Sequence, residues 1–393
     1  MDRILVDPRP NWEQEVEKWG MFYHTHEGAP YWYESAYYAL TQDDVQVIED
    51  ATADLHVMCM QAVEHVVKTG DFERFKIPVV VQPILAQAWN DRKPHLYGRM
   101  DLGYDGVNPP KLLEYNADTP TALLEAAVVQ WKWSQDVAPG SDQFNSIYEA
   151  LVSRWTTLLE EKMITGKVHF AHEESLEDLM TVSLLRDTAQ SAGIETIGLH
   201  MTDIGWNPQI SRFIDLEDMP MNTIFKLYPW EWLVRDKFSV NALTTMNSHL
   251  WIEPIWKMIL SNKAILAVLW ELFPGHKNLL PAYQNDPQDL TGYVKKPILS
   301  REGANVTIVR DGLTGEQTDG PYGKDGYVFQ EIFELPNFDG NHPVIGSWVV
   351  GDEPCGVGIR ESDGLITTDL SRFVPNIIVT KHLATVELPT QIF

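Results

Sequence analysis

Cysteine is scarce in this sequence, and long apolar runs are missing. Only Cys59 and Cys355 occur among 393 residues, which argues against a disulfide framework and a cysteine-based zinc site. The most apolar stretch, residues 252–272, is interrupted by charged and amide side chains, whereas a membrane-spanning helix needs about 20 consecutive apolar residues. The first ten residues contain no apolar core of a signal peptide. We therefore expect a soluble, cytoplasmic protein without a membrane partner.

Basic residues are also scarce. The chain has 30 Lys and Arg against 56 Asp and Glu, a formal net charge of -26. Binding to nucleic acid needs a broad basic surface that releases counterions from phosphates, so no nucleic-acid partner is expected. An acidic surface attracts amines at long range, but it also simply keeps a protein in solution. Net charge alone does not choose between these two roles.

The length and the hydrophobic patterns predict a mixed α/β (α+β) protein of more than one lobe. With 393 residues and 14 Trp, the chain exceeds the usual size of a single core. Apolar spacing predicts helices over residues 41–68, 123–136, 143–162, 176–192 and 251–273. Short β-branched runs predict strands over 78–85, 168–171, 194–201 and 223–227, and then an antiparallel meander over 293–298, 304–309, 327–333, 344–350 and 355–361.

The segment 98–121 reads GRMDLGYDGVNPPKLLEYNADTPT and predicts a two-stranded hairpin. Side chains two apart in a strand share a face, so Glu114 and Asn116 point together. Antiparallel pairing would bring them to Arg99 and Asp101. Two carboxylates and an amide oxygen suit Mg²⁺, with Arg99 as a fixed cation beside it. The alternative is a surface hairpin in which Arg99 and Asp101 form a solvated ion pair, and spacing alone does not separate the two.

Candidate phosphate-binding groups lie in the last third of the chain. Lys263 falls in SNKAIL within a predicted helix, and Lys296 ends a predicted strand before SREGANV, which contains Gly303. A strand followed by a glycine-containing polar loop can lay backbone N–H groups over a triphosphate, with lysine as a point charge. The chain has neither G-x-x-x-x-G-K-[ST] nor G-x-G-x-x-G after a strand. Each lysine alone is weakly specific, because solvated lysines are the rule.

Two later strands also carry polar residues. Gln330 and Glu331 follow the apolar YVF, and alternation would point one of them into a cleft, where it can hydrogen-bond an adenine edge. A plain edge-strand pair is equally compatible. In GVGIRES the glycines permit close backbone approach, and Arg360 can steady a transferring phosphoryl group. Alternatively, Arg360 and Glu361 form an ordinary surface pair.

The motifs GRMD, LLEYNADTPT, SNKAIL, YVKKPILSREGANV, YVFQEIF and GVGIRES span nearly the whole chain. In this order they resemble the synthetase domain of glutathionylspermidine synthetase, an ATP-grasp carboxylate–amine ligase, and especially its single-domain bacterial relatives without an amidase domain. The resemblance implies an ATP-grasp-like fold with permuted element order. It implies one synthetase unit over 1–393, with a lobe carrying the metal-binding hairpin (1–165), a pre-ATP-grasp-like α/β lobe (166–245) and a lysine and flap lobe (246–393).

The resemblance also implies a role for each candidate residue. The implied ligands of Mg²⁺, taken as two ions, are Asp101, Glu114 and Asn116. The implied ATP contacts are Arg99, Asp101, Lys263, Lys296, Gly303, Gln330 and Glu331. The implied catalytic residues are Arg99 and Arg360. Thr119 and Thr121 correspond to hydroxyl residues near the acid substrate, and Glu173 and Glu174 fall near acidic residues that receive the amine.

The implied reaction joins a small or peptide carboxylic acid to an amine, with a polyamine among the candidates. The carboxylate attacks the γ-phosphate of ATP, and the amine then displaces phosphate from the resulting acyl-phosphate. One departure from the family pattern is Leu227 in KLYPWE, where the family has a hydroxyl residue. It keeps open an ATP-binding regulator or pseudoenzyme of the same fold. The remaining alternative is a binding protein that takes no nucleotide.

Overall fold

The computed structural model describes residues 1–26 and 28–380, a mixed α/β protein. Its strands are β1 (Asp2–Leu5), β2 (Thr25–His26), β3 (Ala29–Pro30), β4 (Ala36–Thr41), β5 (Tyr97–Gly103), β6 (Lys111–Asn116), β7 (Val168–His172), β8 (Thr196–His200), β9 (Gly205–Asn207), β10 (Arg212–Ile214), β11 (Thr223–Leu227), β12 (Leu250–Ile252), β13 (Ala282–Gln284), β14 (Gly292–Pro297), β15 (Thr307–Arg310), β16 (Leu313–Gln317), β17 (Tyr327–Glu331), β18 (His342–Val350), β19 (Glu353–Ser362), β20 (Arg372–Val374) and β21 (Asn376–Val379). Its α-helices are α1 (Trp12–Glu17), α2 (Gln42–Thr69), α3 (Gln82–Asn90), α4 (Gln130–Val137), α5 (Ile147–Glu160), α6 (Leu176–Ser191), α7 (Trp230–Leu233), α8 (Ser239–Thr244), α9 (Lys257–Leu260) and α10 (Ile265–Leu272).

The predicted hairpin forms the edge of a five-stranded antiparallel sheet with the order β20-β19-β18-β5-β6. Strand β18 pairs with β5 although more than 200 residues separate them in the chain. Every residue of β5 is buried, because the strand lies inside the sheet and is covered on its faces. Strand β5 is therefore part of the interior of the protein, β6 is partly exposed, and β18 holds the hairpin in the sheet.

The predicted α/β lobe is present as a four-stranded parallel sheet with the order β12-β11-β7-β8. The predicted strand, helix, strand succession over 168–201 is confirmed as β7, α6 and β8, and α6 provides the crossover that parallel neighbours require. The sheet gains one strand that the pattern did not predict. Strand β12 pairs with β11, at the start of the segment predicted as one helix over 251–273.

The prediction of that long helix is wrong in part. After β12 the chain contains Pro254 and two separate helices, α9 and α10, and Lys263 lies in the turn between them. The strand predicted over 78–85 is also wrong. Val79 and Val80 are exposed, and Pro83 lies in the first turn of α3, where proline is favoured because its missing N–H is not needed.

The predicted single meander is wrong as well, since its strands divide between two sheets. Strands β14, β15 and β17 join β13 and β16 in an antiparallel sheet with the order β13-β17-β14-β15-β16, whereas β18 and β19 join the hairpin. Strand patterns identify extended segments but not their partners, because alternation looks the same whichever neighbour supplies the hydrogen bonds.

The remaining predicted helices are confirmed, with ends that differ by a few residues from the predictions. Helix α2 begins after Thr41, whose side chain accepts from the backbone N–H of Asp44 in a capping box, and ends at Gly70 in the left-handed region. Helix α5 begins later than predicted because Phe144 and Asn145 bond to β19 instead. The helix predicted over 123–136 contains a π-helical turn at Glu125–Val129 before α4. Helices α2 and α5 each contribute to a different large apolar cluster.

A small sheet with the order β1-β4-β21 joins the two ends of the described chain. Strand β21 runs parallel to β4. The neighbouring Glu361 of β19 has no exposed surface and accepts hydrogen bonds from Arg3 at 2.8 Å and from Tyr38 at 2.8 Å. The amino-terminal segment is thus fastened to the sheet that carries the hairpin.

Candidate functional site

One cavity lies where the hairpin sheet, the β14–β17 sheet and the first turn of α6 meet. From the hairpin and the segment after it, the cavity is lined by Arg99, Asp101, Glu114, Asn116, Thr119 and Thr121. From later segments it is lined by Lys263, Lys296, Gly303, Gln330, Glu331 and Arg360. The structure therefore brings together most of the residues singled out in the sequence. Glu173 and Glu174 do not line the cavity; they are exposed just after β7.

The hairpin register places its four polar residues opposite one another. Arg99 faces Asn116 and Asp101 faces Glu114 across β5 and β6, as alternation predicted. Arg99 Nε lies 2.8 Å from Asp101 Oδ1, and the two side chains are only 7% and 11% exposed. The alternative of a solvated surface pair is therefore wrong. The ion pair exists, but it is buried because β18 covers β5 on the side away from β6.

Asp101 is the central acceptor of this cluster. Its Oδ2 accepts from Arg360 at 2.7 Å, from Asn116 at 3.2 Å and from Arg99 at 3.3 Å. Burial alone would raise the pKa of Asp101, but the two guanidinium groups outweigh it and hold this pKa below its ordinary value. Arg99 also donates to the carbonyl of Thr121 at 2.6 Å. The carboxylate thus stays ionised between two fixed cations.

The two lysines approach the cluster from outside the hairpin sheet, Lys263 from the turn between α9 and α10 and Lys296 from β14. Lys263 Nζ lies 3.1 Å from Glu114 Oε2 and donates to the carbonyl of Ser300 at 2.9 Å. Lys296 Nζ donates to the carbonyl of Leu113 at 3.0 Å. Burial lowers the pKa of Lys296 to about 8, with Glu114 opposing the shift. Both ammonium groups are thereby fixed beside the hairpin.

Strand β17 supplies the residue that orients Lys296. Gln330 is buried and Glu331 is exposed, as alternation predicted, and β17 lies between β13 and β14, so the edge-strand alternative is wrong. The Gln330 side chain accepts from Lys296 at 2.8 Å and donates to the carbonyl of Leu112 at 2.8 Å. It therefore connects Lys296 to the backbone of the hairpin.

The loop after β14 lies over the cavity. Gly303 has a φ of +66°, and a Cβ there would lie 2.2 Å from the carbonyl oxygen of Thr367. Glycine is required both by this backbone conformation and by the close approach. Arg301 donates to the hydroxyl of Thr119 at 2.8 Å. The loop is therefore fixed between the exit of the hairpin and the segment that precedes β20.

Arg360 and Glu361 point to opposite sides of β19. Arg360 pairs with Asp101 at 2.7 Å, whereas Glu361 pairs with Arg3 and Arg372. The alternative of an ordinary surface pair between the two is wrong. The glycines of β19 do permit close approach, because a Cβ on Gly358 would lie 2.8 Å from the Phe373 ring and 3.2 Å from Ala126.

Sequence reasoning missed two buried ion pairs beneath the site. Lys226 Nζ lies 2.7 Å from Asp118 Oδ1, and Asp118 also accepts from the backbone of Trp230. Glu253 pairs with Lys257 at 2.6 Å and accepts from the backbone N–H groups of residues 96 and 97 at the start of β5. These pairs fix both ends of the hairpin. Asp118 and Lys226 stood within quoted motifs, but nothing in the sequence indicated that they meet.

Sequence reasoning also missed an acidic group in the same cavity. Its members are Glu177, Asp178, Glu302 and Asp369, all of which line the cavity. Burial, followed by the charge of Glu177, raises the pKa of Asp178 to about 6. The same two causes raise the pKa of Glu302, with Asp369 contributing. Within residues 1–26 and 28–380 none of the four forms an ion pair. One signal in the sequence could have identified part of this group. Glu177 and Asp178 lie in the first turn of α6, only three residues after Glu174, which the resemblance had singled out.

The hairpin residues fit a magnesium ion by the chemistry of their donors. In the described part of the chain, no group of three or more His, Cys, Asp or Glu side chains is placed to hold a metal. Mg²⁺ does not require one, because it takes one or two protein carboxylates, keeps waters and shares positions with phosphates. Asp101, Glu114 and Asn116 supply two carboxylates and an amide on one face. The four surrounding cations, Arg99, Lys263, Lys296 and Arg360, form a cationic group suited to phosphates.

The structure is a mixed α/β protein in which a cationic and an acidic group line one cavity. The chain belongs to the family described as "Glutathionylspermidine synthase preATP-grasp", whose model matches residues 3–379. The resemblance stated from the motifs is thereby confirmed. In the described ranges, no helix has the length and apolar character needed to cross a membrane.

Three relatives illustrate the family. A Haemophilus influenzae protein named "Putative acid--amine ligase" is 42% identical over 96% of this chain and 100% of its own length. Trypanothione synthetase of Crithidia fasciculata is 31% identical over 80% of this chain and 52% of its own length. The bifunctional glutathionylspermidine synthetase/amidase of Escherichia coli is 29% identical over 88% of this chain and 60% of its own length. The chain thus matches little more than half of the two longer relatives.

Proposed function

We propose that this protein is an ATP- and Mg²⁺-dependent carboxylate–amine ligase that forms an amide through an acyl-phosphate and releases ADP. The observation that supports this most is the cavity itself, in which a cationic group and an acidic group line the same space. A triphosphate and a carboxylate need the first group, and an amine needs the second. The names of the three relatives, all ligases or synthetases, agree with this reaction class.

The fold that we propose for this activity is an ATP-grasp with permuted element order, acting as one unit over residues 1–393. The support is the order of the parts along the chain. The hairpin with the metal-ligand candidates comes first, and the lysines and the glycine loop follow. A cytoplasmic setting is part of the proposal, since both cysteines are buried free thiols.

The nucleotide would lie between β14, β17 and the hairpin. Lys263, Lys296 and the Gly303 loop would contact its phosphates, with two Mg²⁺ ions on Asp101, Glu114 and Asn116. The metal would supply charge neutralisation when bound. Because both polar atoms of the Gln330 amide already bond within the protein, we propose that the adenine meets the side chain of Glu331, which lines the cavity, rather than that of Gln330.

The acid substrate would approach along the segment that follows β6, near Thr119 and Thr121. Its carboxylate oxygen attacks the γ-phosphorus, the bond from that phosphorus to the β–γ bridging oxygen breaks, and ADP leaves. Arg99 and Arg360 offset the repulsion between carboxylate and triphosphate and stabilise the charge that spreads over the phosphoryl oxygens. The fixed position of both guanidinium groups on Asp101 means that little reorganisation is needed when that charge develops.

The amine would be held by the acidic group and would then displace phosphate from the acyl carbon. Carboxylates that lack cationic partners are suited to an ammonium group, and several of them together suit a polyamine. In this proposal Glu173 and Glu174 serve as an outer acidic approach rather than as contacts, because they are exposed outside the cavity.

A screen for ADP formation tests the proposal. Purified protein is incubated with Mg-ATP and panels of small or peptide acids and of amines, and ADP is measured for each combination. We expect ADP only when an acid is present, and amide only when an amine is added. An ATP-binding regulator or pseudoenzyme would show a melting shift with Mg-ATP but no ADP with any pair, and a protein that takes no nucleotide would show neither.

A further inference from the structure

A tyrosine near the amino end of the chain, Tyr31, connects the cavity to a buried carboxyl group. Tyr31 lines the cavity, and its hydroxyl donates to Glu125 Oε1 at 2.9 Å. Tyr31 is 6% exposed and Glu125 is 1% exposed. The reaction described above uses neither residue. A buried ionisable group that reaches the cavity through one hydroxyl group needs an explanation.

The backbone around Glu125 is adapted to hold it there. Residues Glu125–Val129 form a π-helical turn, a rare feature that is frequently found at functional sites. The side chain of Gln130 stabilises this turn by donating to the carbonyls of Ala126 and Val357, each at 2.7 Å. Gly358 packs against the same turn. The π-helical turn and β19 thus hold Glu125 in place, and its position does not result from a frayed helix end.

Charged groups from both parts of the cavity face this pair. Glu125 is influenced by Tyr31, Glu177 and Arg99, and Tyr31 by Glu125, Glu177 and Arg360. The pair is therefore within electrostatic reach of Glu177 in the acidic group and of both arginines. Burial raises the pKa of Glu125 to about 7, so its carboxyl group exchanges a proton near neutral pH.

The acidic group creates a chemical problem that this position can solve. Carboxylates that attract an ammonium group also favour its protonated form, and an ammonium nitrogen has no lone pair with which to attack the acyl carbon. A base is therefore required between the place where the amine binds and the place where it reacts. Tyr31 lines the cavity, is influenced by both Glu177 and Arg360, and is bonded to a carboxyl group that can take a proton.

Resting on the proposed function, we propose that Tyr31 and Glu125 form a proton relay that deprotonates the amine substrate before it attacks. The ammonium N–H bond breaks and its proton passes to the Tyr31 oxygen, while the Tyr31 hydroxyl proton passes to the Glu125 carboxylate. The products are a neutral amine, an unchanged tyrosine and a neutral Glu125. Glu125 returns its proton to water through Tyr31 after the amide has left.

Two nucleophiles separate this role from a structural one. With Tyr31→Phe and Glu125→Gln, the rate with spermidine falls by about 10²-fold or more. The rate with hydroxylamine, which is unprotonated at neutral pH and needs no base, stays close to that of the unchanged protein. Tyr104→Phe is the matched control, because Tyr104 also donates to a buried carboxylate, Asp44, at 2.6 Å, but lies outside the cavity lining.

The pH profile gives a second readout. The kcat/KM for spermidine in the unchanged protein rises as pH increases through about 7, because Glu125 accepts the proton only when it is ionised. This step is absent in Glu125→Gln. Equal losses with spermidine and hydroxylamine, or no loss with either, would overturn the relay.

The relay can also be tested without turnover, by a measurement on the unchanged protein that does not depend on whether a variant folds. Infrared difference spectra of the unchanged protein should show a carboxyl group titrating near pH 7 that disappears in Glu125→Gln. A Glu125 that titrates at its ordinary value overturns the relay even if ligation is observed. If no acid gives ADP, even with hydroxylamine as the nucleophile, the proposed function and the relay both fail. If ADP forms but the relay tests fail, only the relay is overturned, so the two failures can be told apart.

Discussion

The cationic and the acidic group of the cavity are built in different ways. Each member of the cationic group is already paired within the protein: Arg99 and Arg360 with Asp101, Lys263 with Glu114, and Lys296 with Gln330. The acidic group of Glu177, Asp178, Glu302 and Asp369 forms no ion pair in residues 1–26 and 28–380. The cationic group is thus partly neutralised in advance, whereas burial and the charge of Glu177 raise the pKa of Asp178 and of Glu302 in the acidic group.

The difference teaches how one cavity can accept ligands of opposite charge. In the proposed function, a ligand of the cationic group takes over cations that Asp101 and Glu114 hold in the structure, and these carboxylates then become available to a metal ion. A ligand of the acidic group displaces no ion-pair partner, although the charge of Arg301 also acts on Asp178 and Glu302. Selectivity at the first group therefore depends on geometry, and at the second mainly on charge.

The largest effect is expected from Arg360→Ala. Loss of a donor aimed at developing charge lowers kcat by about 10² to 10³, while Asp101 keeps its pair with Arg99, so the melting temperature should change little. Steady-state ADP release and a thermal melt measure both. Arg310→Ala is the control, since Arg310 forms an exposed pair with Glu334 away from the cavity. An active Arg360→Ala enzyme would contradict the role of the cationic group.

A smaller effect is expected from changes in the acidic group. Glu177→Gln or Glu302→Gln removes one charged contact to the amine, worth about 1.5–3 kcal/mol, so the KM for a polyamine should rise roughly ten- to hundredfold. The KM for ATP should stay the same. Glu160→Gln, at an exposed position of α5, is the control. If Glu173→Gln had the larger effect instead, the amine would bind outside the cavity.

A further decrease is expected from Gly303→Ala. The new Cβ would overlap the carbonyl of Thr367, which lies 2.2 Å away, so the loop must move and the KM for ATP should rise by about tenfold, or roughly 1.4 kcal/mol. Gly312→Ala is the matched control, because Gly312 has a similar φ of +77° with nothing within 4 Å. Comparison of the two variants separates backbone strain, about 1–2 kcal/mol in both, from the overlap. If the two variants had the same KM for ATP, the Gly303 loop would have no part in nucleotide binding.

The smallest effect is expected from pH. Burial lowers the pKa of Lys296 to about 8, so Mg-ATP affinity, measured by calorimetry, should weaken as pH rises through 8. The folded pKa lies below the unfolded one, so Lys296 costs stability below pH 8, and this cost fades as pH rises toward the unfolded value. Affinity and stability should therefore move in opposite directions. Lys296→Arg, which stays charged, should make the Mg-ATP affinity nearly independent of pH in this range. If the affinity still weakened as pH rises, a group other than Lys296 would be responsible.

The hairpin could be predicted from the sequence because its information is local. Alternation along LLEYN and the turn between the strands set the faces of Glu114 and Asn116, and the register of β5 and β6 followed. Burial of Arg99 and Asp101 could not be predicted in the same way. It depends on β18, a strand that local patterns placed in a different sheet.

The cationic group was indicated by motif resemblance, whereas the acidic group had no such guide. Its members come from the first turn of α6, the loop after β14 and the segment before β20, which meet only in the folded protein. The same holds for Tyr31 and Glu125, 94 residues apart. The first forty residues are rich in aromatic side chains, but only the fold shows that two of them, Tyr23 and Tyr31, line the cavity.

The pairing of β18 with β5 and of β21 with β4 has a consequence for synthesis of the chain. Arg360 reaches Asp101 across 259 residues, and contacts of such long separation form late. A nascent polypeptide still on the ribosome carries the hairpin but lacks the strands that enclose it. In the proposed function, nucleotide capture should therefore begin only after Arg360 has been synthesised and β19 has joined the sheet.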